Sequence, residues 1–87
     1  MISKNKLLAV CDSRCGYCGK KISLFNMQID YVLPERFGGT KTTDNALPVC
    51  RECKKLKEDK PLESFRSVLN SRTGKNIRFY FEIRRNY

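Results

Sequence analysis

The sequence predicts one small α+β domain whose apolar core is too small to hold the fold without help. Its 87 residues are too few for two independent cores, because short chains bury only a modest fraction of their surface. Helical and strand patterns both occur, and five cysteines offer a further means of stabilisation. We expect a single domain, 1–87, with a core motif at 11–60 and a basic C-terminal extension at 61–87.

The N-terminal half predicts a helix, a strand and a long loop. Ser3 can cap an amphipathic segment that continues to Val10, so this segment should be a helix. Residues 27–33 are rich in β-forming side chains and end before a proline, which predicts a strand. Residues 35–45 combine glycines, threonines and an Asp-Asn pair, a composition typical of an irregular loop.

The C-terminal half predicts a short strand, two helices and a final strand. Residues 47–49 should form the short strand, a helix should cover 54–57, and a second helix should begin near Leu62 after a proline. A turn is expected around Gly74. Residues 77–84 alternate apolar and polar side chains, which predicts a strand with one buried face, although a helix stays open as the alternative.

The absence of histidine excludes several kinds of chemistry. A Ser/His/Asp triad, a Cys/His dyad and an imidazole metal ligand all need a side chain that this chain lacks. Any general base must therefore be Asp, Glu, Lys, Tyr, Cys or a bound water. This narrows the possible hydrolytic mechanisms.

The charge balance predicts a polyanionic partner. Lys and Arg number 18 against nine Asp and Glu, a net charge of +9, and such a field most often serves nucleic acid. An anionic membrane surface or a merely solvated basic surface are the alternatives. In the C-terminal third, Arg78, Arg84 and Arg85 are candidates for phosphate contacts, with plain surface charge as the alternative.

Two cysteine pairs predict a metal site. Two-residue spacing lets both thiolates of a pair reach one tetrahedral ion, so Cys15, Cys18, Cys50 and Cys53 should bind one structural Zn²⁺. A thioredoxin-like redox pair is the rival interpretation, but it would need only one such motif in a βαβ context. Four thiolates leave no open position for catalysis. The remaining Cys11 should pack as a small hydrophobic residue, with regulatory thiol chemistry as the alternative.

The cysteine usage also bears on the compartment. No basic and apolar leader is visible, which argues against secretion and hence against disulfides, so we expect a cytoplasmic protein. No apolar run reaches the length of about 18 residues that spans a bilayer.

Together these motifs resemble the zinc-containing HNH endonucleases. The resemblance covers about residues 5 to 60, with order and spacing intact. The residues that carry it are Cys15-Gly-Tyr-Cys-Gly, Ile29-Asp30-Tyr31-Val32-Leu33-Pro34, Gly38-Gly39, Asp44-Asn45-Ala46-Leu47 and Cys50-Arg-Glu-Cys-Lys-Lys-Leu-Lys57. It implies a ββα-metal fold, in which two strands and a helix present a divalent cation to a phosphodiester and the zinc acts as a brace.

The resemblance also assigns roles to particular positions. It implies that Asp30 helps to bind the catalytic cation and that Asn45 orients the loop and the general base. The family's usual histidine base is replaced by Tyr31, and its last metal ligand is replaced by Lys54. Lys57 lies where the family commonly has a lysine near the scissile strand.

These substitutions predict impaired catalysis. Tyrosine, with an ordinary pKa near 10, is a poor base at neutral pH, and a charged lysine has no lone pair for a cation. We expect Lys54 to pair with Asp30, and we expect a protein that binds nucleic acid, DNA above all, with little cleavage. Alternatives are an active endonuclease using Mg²⁺ or Mn²⁺, and a zinc-based protein-interaction or inhibitor module. A bacteriophage or mobile element would suit such a small basic domain.

Overall fold

A computed structural model describes residues 2–85 and confirms a small α+β domain. Side-chain positions are described up to Ile83, so the side chains of Arg84 and Arg85 lie outside the described part. Within it, the elements in chain order are α1 (Lys4–Val10), β1 (Gln28–Tyr31), β2 (Ala46–Val49), α2 (Arg51–Lys57), α3 (Leu62–Thr73) and α4 (Tyr80–Arg85).

The predicted N-terminal helix is confirmed, together with its cap. The backbone amide of Lys6 donates to the Ser3 hydroxyl at 3.4 Å, which satisfies one of the free amides of the first turn. Leu7 is buried and anchors the helix to the core. Cys11 follows directly and is also buried among apolar side chains, as its predicted packing role requires.

The two predicted strands form one antiparallel hairpin. Gln28 pairs with Val49 and Asp30 pairs with Leu47. All four residues of β2 are buried, so this strand lies inside the domain. The loop between the strands holds two short 3₁₀ turns, Glu35–Phe37 and Thr43–Asn45, within the region predicted to be irregular.

The two central helices occur where the sequence places them. Helix α2 begins at Arg51, three residues before its predicted start, so the second cysteine pair spans the junction of β2 and α2. In α3, Phe65 is fully buried. Gly74 ends α3 in the left-handed conformation, with φ of 70°, which glycine adopts without steric cost.

The predicted C-terminal strand is wrong, and the helical alternative is correct. Residues 76–79 lead without regular structure into α4. The amides of Tyr80 and Phe81 donate to the carbonyls of Tyr17 and Gly16, at 3.1 and 2.9 Å. Because these bonds attach the segment to the first cysteine pair rather than to the hairpin, its alternating pattern is not used for sheet pairing.

An aromatic cluster joins the C-terminal segment to the core. Phe79 is buried and stacks on Phe65 with ring centroids 5.3 Å apart. The Tyr17 ring meets both of them edge-on, at 5.2 and 5.0 Å. Edge-to-face and offset-stacked pairs at these distances are favourable, so the cluster fixes the position of Tyr17.

Candidate metal centre and active-site region

The four paired cysteines come together as predicted. The Sγ atoms of Cys15, Cys18, Cys50 and Cys53 all lie within 4.8 Å of one another. The first pair sits on a tight turn after α1, where the amide of Cys15 donates to the Lys20 carbonyl at 2.8 Å. The amide of Gly16, in turn, donates to the Pro48 carbonyl of β2 at 2.7 Å. These bonds hold the turn against the second pair.

The sulfurs lie close enough to shift one another's pKa, in different directions: burial raises the pKa of the Cys18 thiol to about 11. A hydrogen bond with Cys53 lowers the pKa of the Cys15 thiol to about 5; burial opposes the shift, and the amides of Cys18 and Cys50 reinforce it. The same thiol contact raises the pKa of Cys53. Amides directed at sulfur stabilise its charged form. The cluster therefore fits one tetrahedral metal ion and is compatible with zinc.

Asp30 lies beside this centre and is enclosed by donors. Its carboxylate belongs to a residue only 1% exposed. The Tyr17 hydroxyl donates to Oδ2 at 2.5 Å, and Lys57 Nζ lies 3.0 Å from the same oxygen. Lys54 Nζ lies 3.4 Å from Oδ1. Both carboxylate oxygens thus have a positively charged partner.

The expected contact between Lys54 and Asp30 is present. Lys54 lies at the middle of α2, which packs against β1. Its side chain is 40% exposed, so it is the solvent-accessible one of the two lysines that contact Asp30.

Lys57 occupies a different place from the one expected of it. Its side chain is 0% exposed, and besides Asp30 it contacts the Tyr31 carbonyl, to which Nζ donates at 3.0 Å. The expectation of a surface contact with nucleic acid is therefore corrected, because a phosphate cannot reach this ammonium. Lys54 and Lys57 are three residues apart and share a helix face, so both ammonium groups can reach the same carboxylate.

Tyr17 is the residue of the Asp30 cluster that sequence reasoning missed. It lies between the cysteines of the first pair, is 3% exposed and donates to Asp30. Burial, then the negative charge of Asp30, raises the pKa of its hydroxyl, so it stays a donor at neutral pH. Only its position between two ligands marks it in the sequence.

Tyr31 packs at the edge of the core rather than joining the Asp30 cluster. Its side chain is half-buried against apolar neighbours. Among the described residues, no hydrogen bond joins the Tyr31 hydroxyl to Asp30.

Asn45 braces the loop between the strands. Its side-chain amide donates to the carbonyls of Leu33 and Thr40, at 2.9 and 2.8 Å, and its Oδ1 accepts from the Leu33 amide at 3.0 Å. Gly39 packs into the same corner, where a Cβ atom would lie 1.7 Å from the Leu33 carbonyl oxygen. This close approach explains the glycine.

The basic C-terminal residues are only partly described. Arg78 is exposed, as a phosphate contact requires. The side chains of Arg84 and Arg85 lie outside the described residues, so their predicted contacts stay predictions.

Comparison with known proteins decides the family. The family model described as HNH endonuclease matches residues 15–76, which include all four paired cysteines and the Asp30 cluster. This chain belongs to the HNH endonuclease family.

Two larger proteins each contain a region that is similar to this HNH domain. It is 35% identical over 49 residues to the CRISPR-associated endonuclease Cas9 of Corynebacterium diphtheriae, a match covering 55% of this chain and 4% of that protein. It also resembles the crystal structure of the Type II-C Cas9 enzyme from Actinomyces naeslundii. There the TM-score is 0.68 with 25% identity, over 74% of this chain and 7% of the other.

The chain therefore spans only a small part of the relatives that it matches. In the described residues, no helix is both long and apolar enough to cross a membrane.

Proposed function

We propose that this HNH domain binds nucleic acid, DNA above all, and cleaves phosphodiester bonds slowly or not at all. The proposal rests on the groups that surround the Asp30 carboxylate. This carboxylate is buried and is contacted by two lysine ammonium groups and a tyrosine hydroxyl. In the family, the equivalent aspartate helps to hold the catalytic cation.

Electrostatics argue against a divalent cation at Asp30. One carboxylate beside two ammonium groups leaves a local excess of positive charge. Two unit positive charges about 4 Å apart repel by about 4 kcal/mol at an effective dielectric constant near 20, and Mg²⁺ carries two. Mg²⁺ also requires several oxygen ligands in octahedral geometry, whereas Lys54 supplies none.

The proton-transfer step is weakened as well. General-base catalysis needs a group within hydrogen-bond reach of the attacking water and with a suitable pKa. A phenol replaces the family's imidazole at Tyr31, and this phenol packs at the edge of the core. Loss of the Lewis acid and of the base together would remove the main contributions to hydrolysis.

We assign Zn²⁺ to the four cysteines as a structural brace. Four thiolates complete a tetrahedral shell and leave no position for water or substrate, so the ion would stabilise the fold and take no part in hydrolysis. With zinc bound to four thiolates, the net charge of +9 becomes about +7. This remaining charge supports binding to phosphate backbones.

A plasmid-nicking assay with Mg²⁺ and Mn²⁺ tests the proposal. The unaltered chain should give no nicking above background, and the Tyr31→His, Lys54→Asn double variant should nick. Lys55→Asn is the matched control, because Lys55 is an exposed neighbour on the same helix and its loss should restore nothing. Robust nicking by the unaltered chain that Asp30→Asn abolishes would replace the proposal with an active endonuclease.

A further inference from the structure

A fully exposed phenylalanine stands beside a cavity at the opposite end of β1 from Tyr31. The Phe25 side chain is 100% exposed. The neighbouring cavity has a volume of about 300 Å³ and is lined by Phe25, Asn26, Gln28, Cys50, Arg51 and Glu52, among others. This volume is at the lower end of the range for ligand pockets, which suits one small planar group.

The turn that carries Phe25 is held in place by its own hydrogen bonds. The Ser23 amide donates to Asn26 Oδ1 at 2.8 Å, and the Phe25 amide donates to the Ser23 hydroxyl at 3.3 Å. Buried Ile22 and Met27 anchor the turn at its two ends. The ring is thus presented on a fixed support, which reduces the entropy lost when a ligand binds.

The polar groups around the cavity favour an uncharged ring inside it and a phosphate at its edge. Lys20 and Glu52 both line the cavity and are paired with each other at 3.2 Å, so together they leave no net charge that would hold an anion there. The Gln28 amide and the Arg51 guanidinium have no hydrogen-bond or ion-pair partner among the described residues. An amide can bond to the edge of a base, and a guanidinium can bind a phosphate.

The position of Arg51 links the cavity to the Asp30 region. Arg51 and Lys54 are three residues apart on α2 and therefore lie on one face of the helix. Lys54 in turn contacts Asp30. Arg51 and Lys54 thus place two positive charges between the cavity and the Asp30 carboxylate.

We propose that this cavity binds an unpaired nucleobase, which stacks on Phe25 while Arg51 and then Lys54 hold the following phosphates. The inference rests on the proposed nucleic-acid binding and adds that the preferred ligand is single-stranded. Inside a duplex both faces of each base are already stacked, so an unpaired base offers Phe25 a face that an interior paired base does not.

The chain contains no tryptophan, so a single introduced tryptophan reports on its own surroundings. Phe25→Trp is the test variant. Phe37→Trp is the matched control, because Phe37 is an exposed aromatic residue on another loop and does not line the cavity. Each variant is titrated with dye-labelled oligothymidylate and with a dye-labelled, fully paired blunt-ended duplex of equal strand length, while dye anisotropy records binding.

With oligothymidylate, the indole fluorescence of the Phe25→Trp variant should be quenched in step with the anisotropy change, whereas that of the Phe37→Trp variant should stay nearly constant. The duplex should quench neither. Phe25→Ala should weaken oligothymidylate binding by about five- to hundredfold, the range expected from base–aromatic stacking, with little effect on the duplex.

The possible failures are distinguishable. Binding that leaves the fluorescence of the Phe25→Trp variant unchanged, or equal effects of Phe25→Ala on both ligands, would overturn the stacking site and leave the proposed nucleic-acid binding intact. An absence of any anisotropy change with either ligand at low salt would overturn the proposed binding, and the stacking site with it.

Discussion

The Nζ atom of Lys57 lies 3.0 Å from Oδ2 of Asp30, and both side chains are almost completely shielded from solvent. The pair joins α2 to β1 through the interior of the domain. A buried ion pair costs desolvation free energy, but a charge left alone in the same place costs more. The two residues therefore depend on each other, and the Tyr17 hydroxyl completes the set.

Removing the buried ammonium should destabilise the fold. Lys57→Met preserves most of the side-chain volume but leaves Asp30 with only the partly exposed Lys54 as its charged partner. We expect the free energy of unfolding to fall by about 3–5 kcal/mol, the usual cost of breaking a buried pair. Urea denaturation measures this, and Lys55→Met, at an exposed position, should change it by less than about 0.5 kcal/mol. Equal effects of the two substitutions would contradict the buried pair.

The Tyr17 hydroxyl should make stability depend on alkaline pH. Its pKa is raised in the folded protein by burial and by Asp30, so the phenol ionises more easily in the unfolded chain. The resulting stabilisation is complete below the unfolded pKa of about 10 and is lost as pH rises above it. Tyr17→Phe should remove this part of the stability loss at alkaline pH. Urea denaturation at a series of pH values from neutral to above about 10 measures the free energy of unfolding of both proteins, with Tyr80→Phe as the control.

The corner occupied by Gly39 should not accept a side chain. A Cβ atom there would overlap the Leu33 carbonyl oxygen at 1.7 Å, so the loop that Asn45 braces must shift. Gly39→Ala should lower the melting temperature more than Gly38→Ala, since Gly38 has a φ of 94° but no neighbouring atom within 4 Å. A larger loss from Gly38→Ala would show that backbone conformation, not contact, dominates in this loop.

The four-cysteine cluster should bind one zinc ion per chain and should be needed for folding, because structural zinc contributes on the order of 10 kcal/mol in comparable peptides. Elemental analysis of purified protein measures the stoichiometry. Cys50→Ser should lose the metal and the folded circular dichroism signal. Cys11→Ala should keep both, since Cys11 is outside the cluster. A well-folded, metal-free Cys50→Ser protein would disprove the structural role.

Local sequence signals predicted much of this fold and site. The Ser3 cap, the cysteine spacing and the contact between Lys54 and Asp30 follow from patterns within a few residues, or from the family resemblance. The C-terminal helix could not be predicted from local patterns, because hydrogen bonds from Tyr80 and Phe81 to the distant first cysteine pair decide its conformation.

Burial was the other quantity that the sequence did not reveal. Lys57 appears in the sequence as one of several lysines on a basic helix, and nothing local distinguishes it from exposed Lys55. Its burial depends on Asp30 arriving from β1 and on the Tyr31 carbonyl facing the same interior space. Tyr17 was missed for the same reason, because its partner lies 13 residues away.

The most direct test of the account is whether a divalent cation reaches Asp30. Electron paramagnetic resonance can count bound Mn²⁺ in the zinc-loaded, unaltered protein and in Lys54→Asn, with Lys55→Asn as the control. The account predicts no bound Mn²⁺ at millimolar concentration in the unaltered protein or the control, and measurable binding in Lys54→Asn. One Mn²⁺ per unaltered chain, lost on Asp30→Asn, would contradict it.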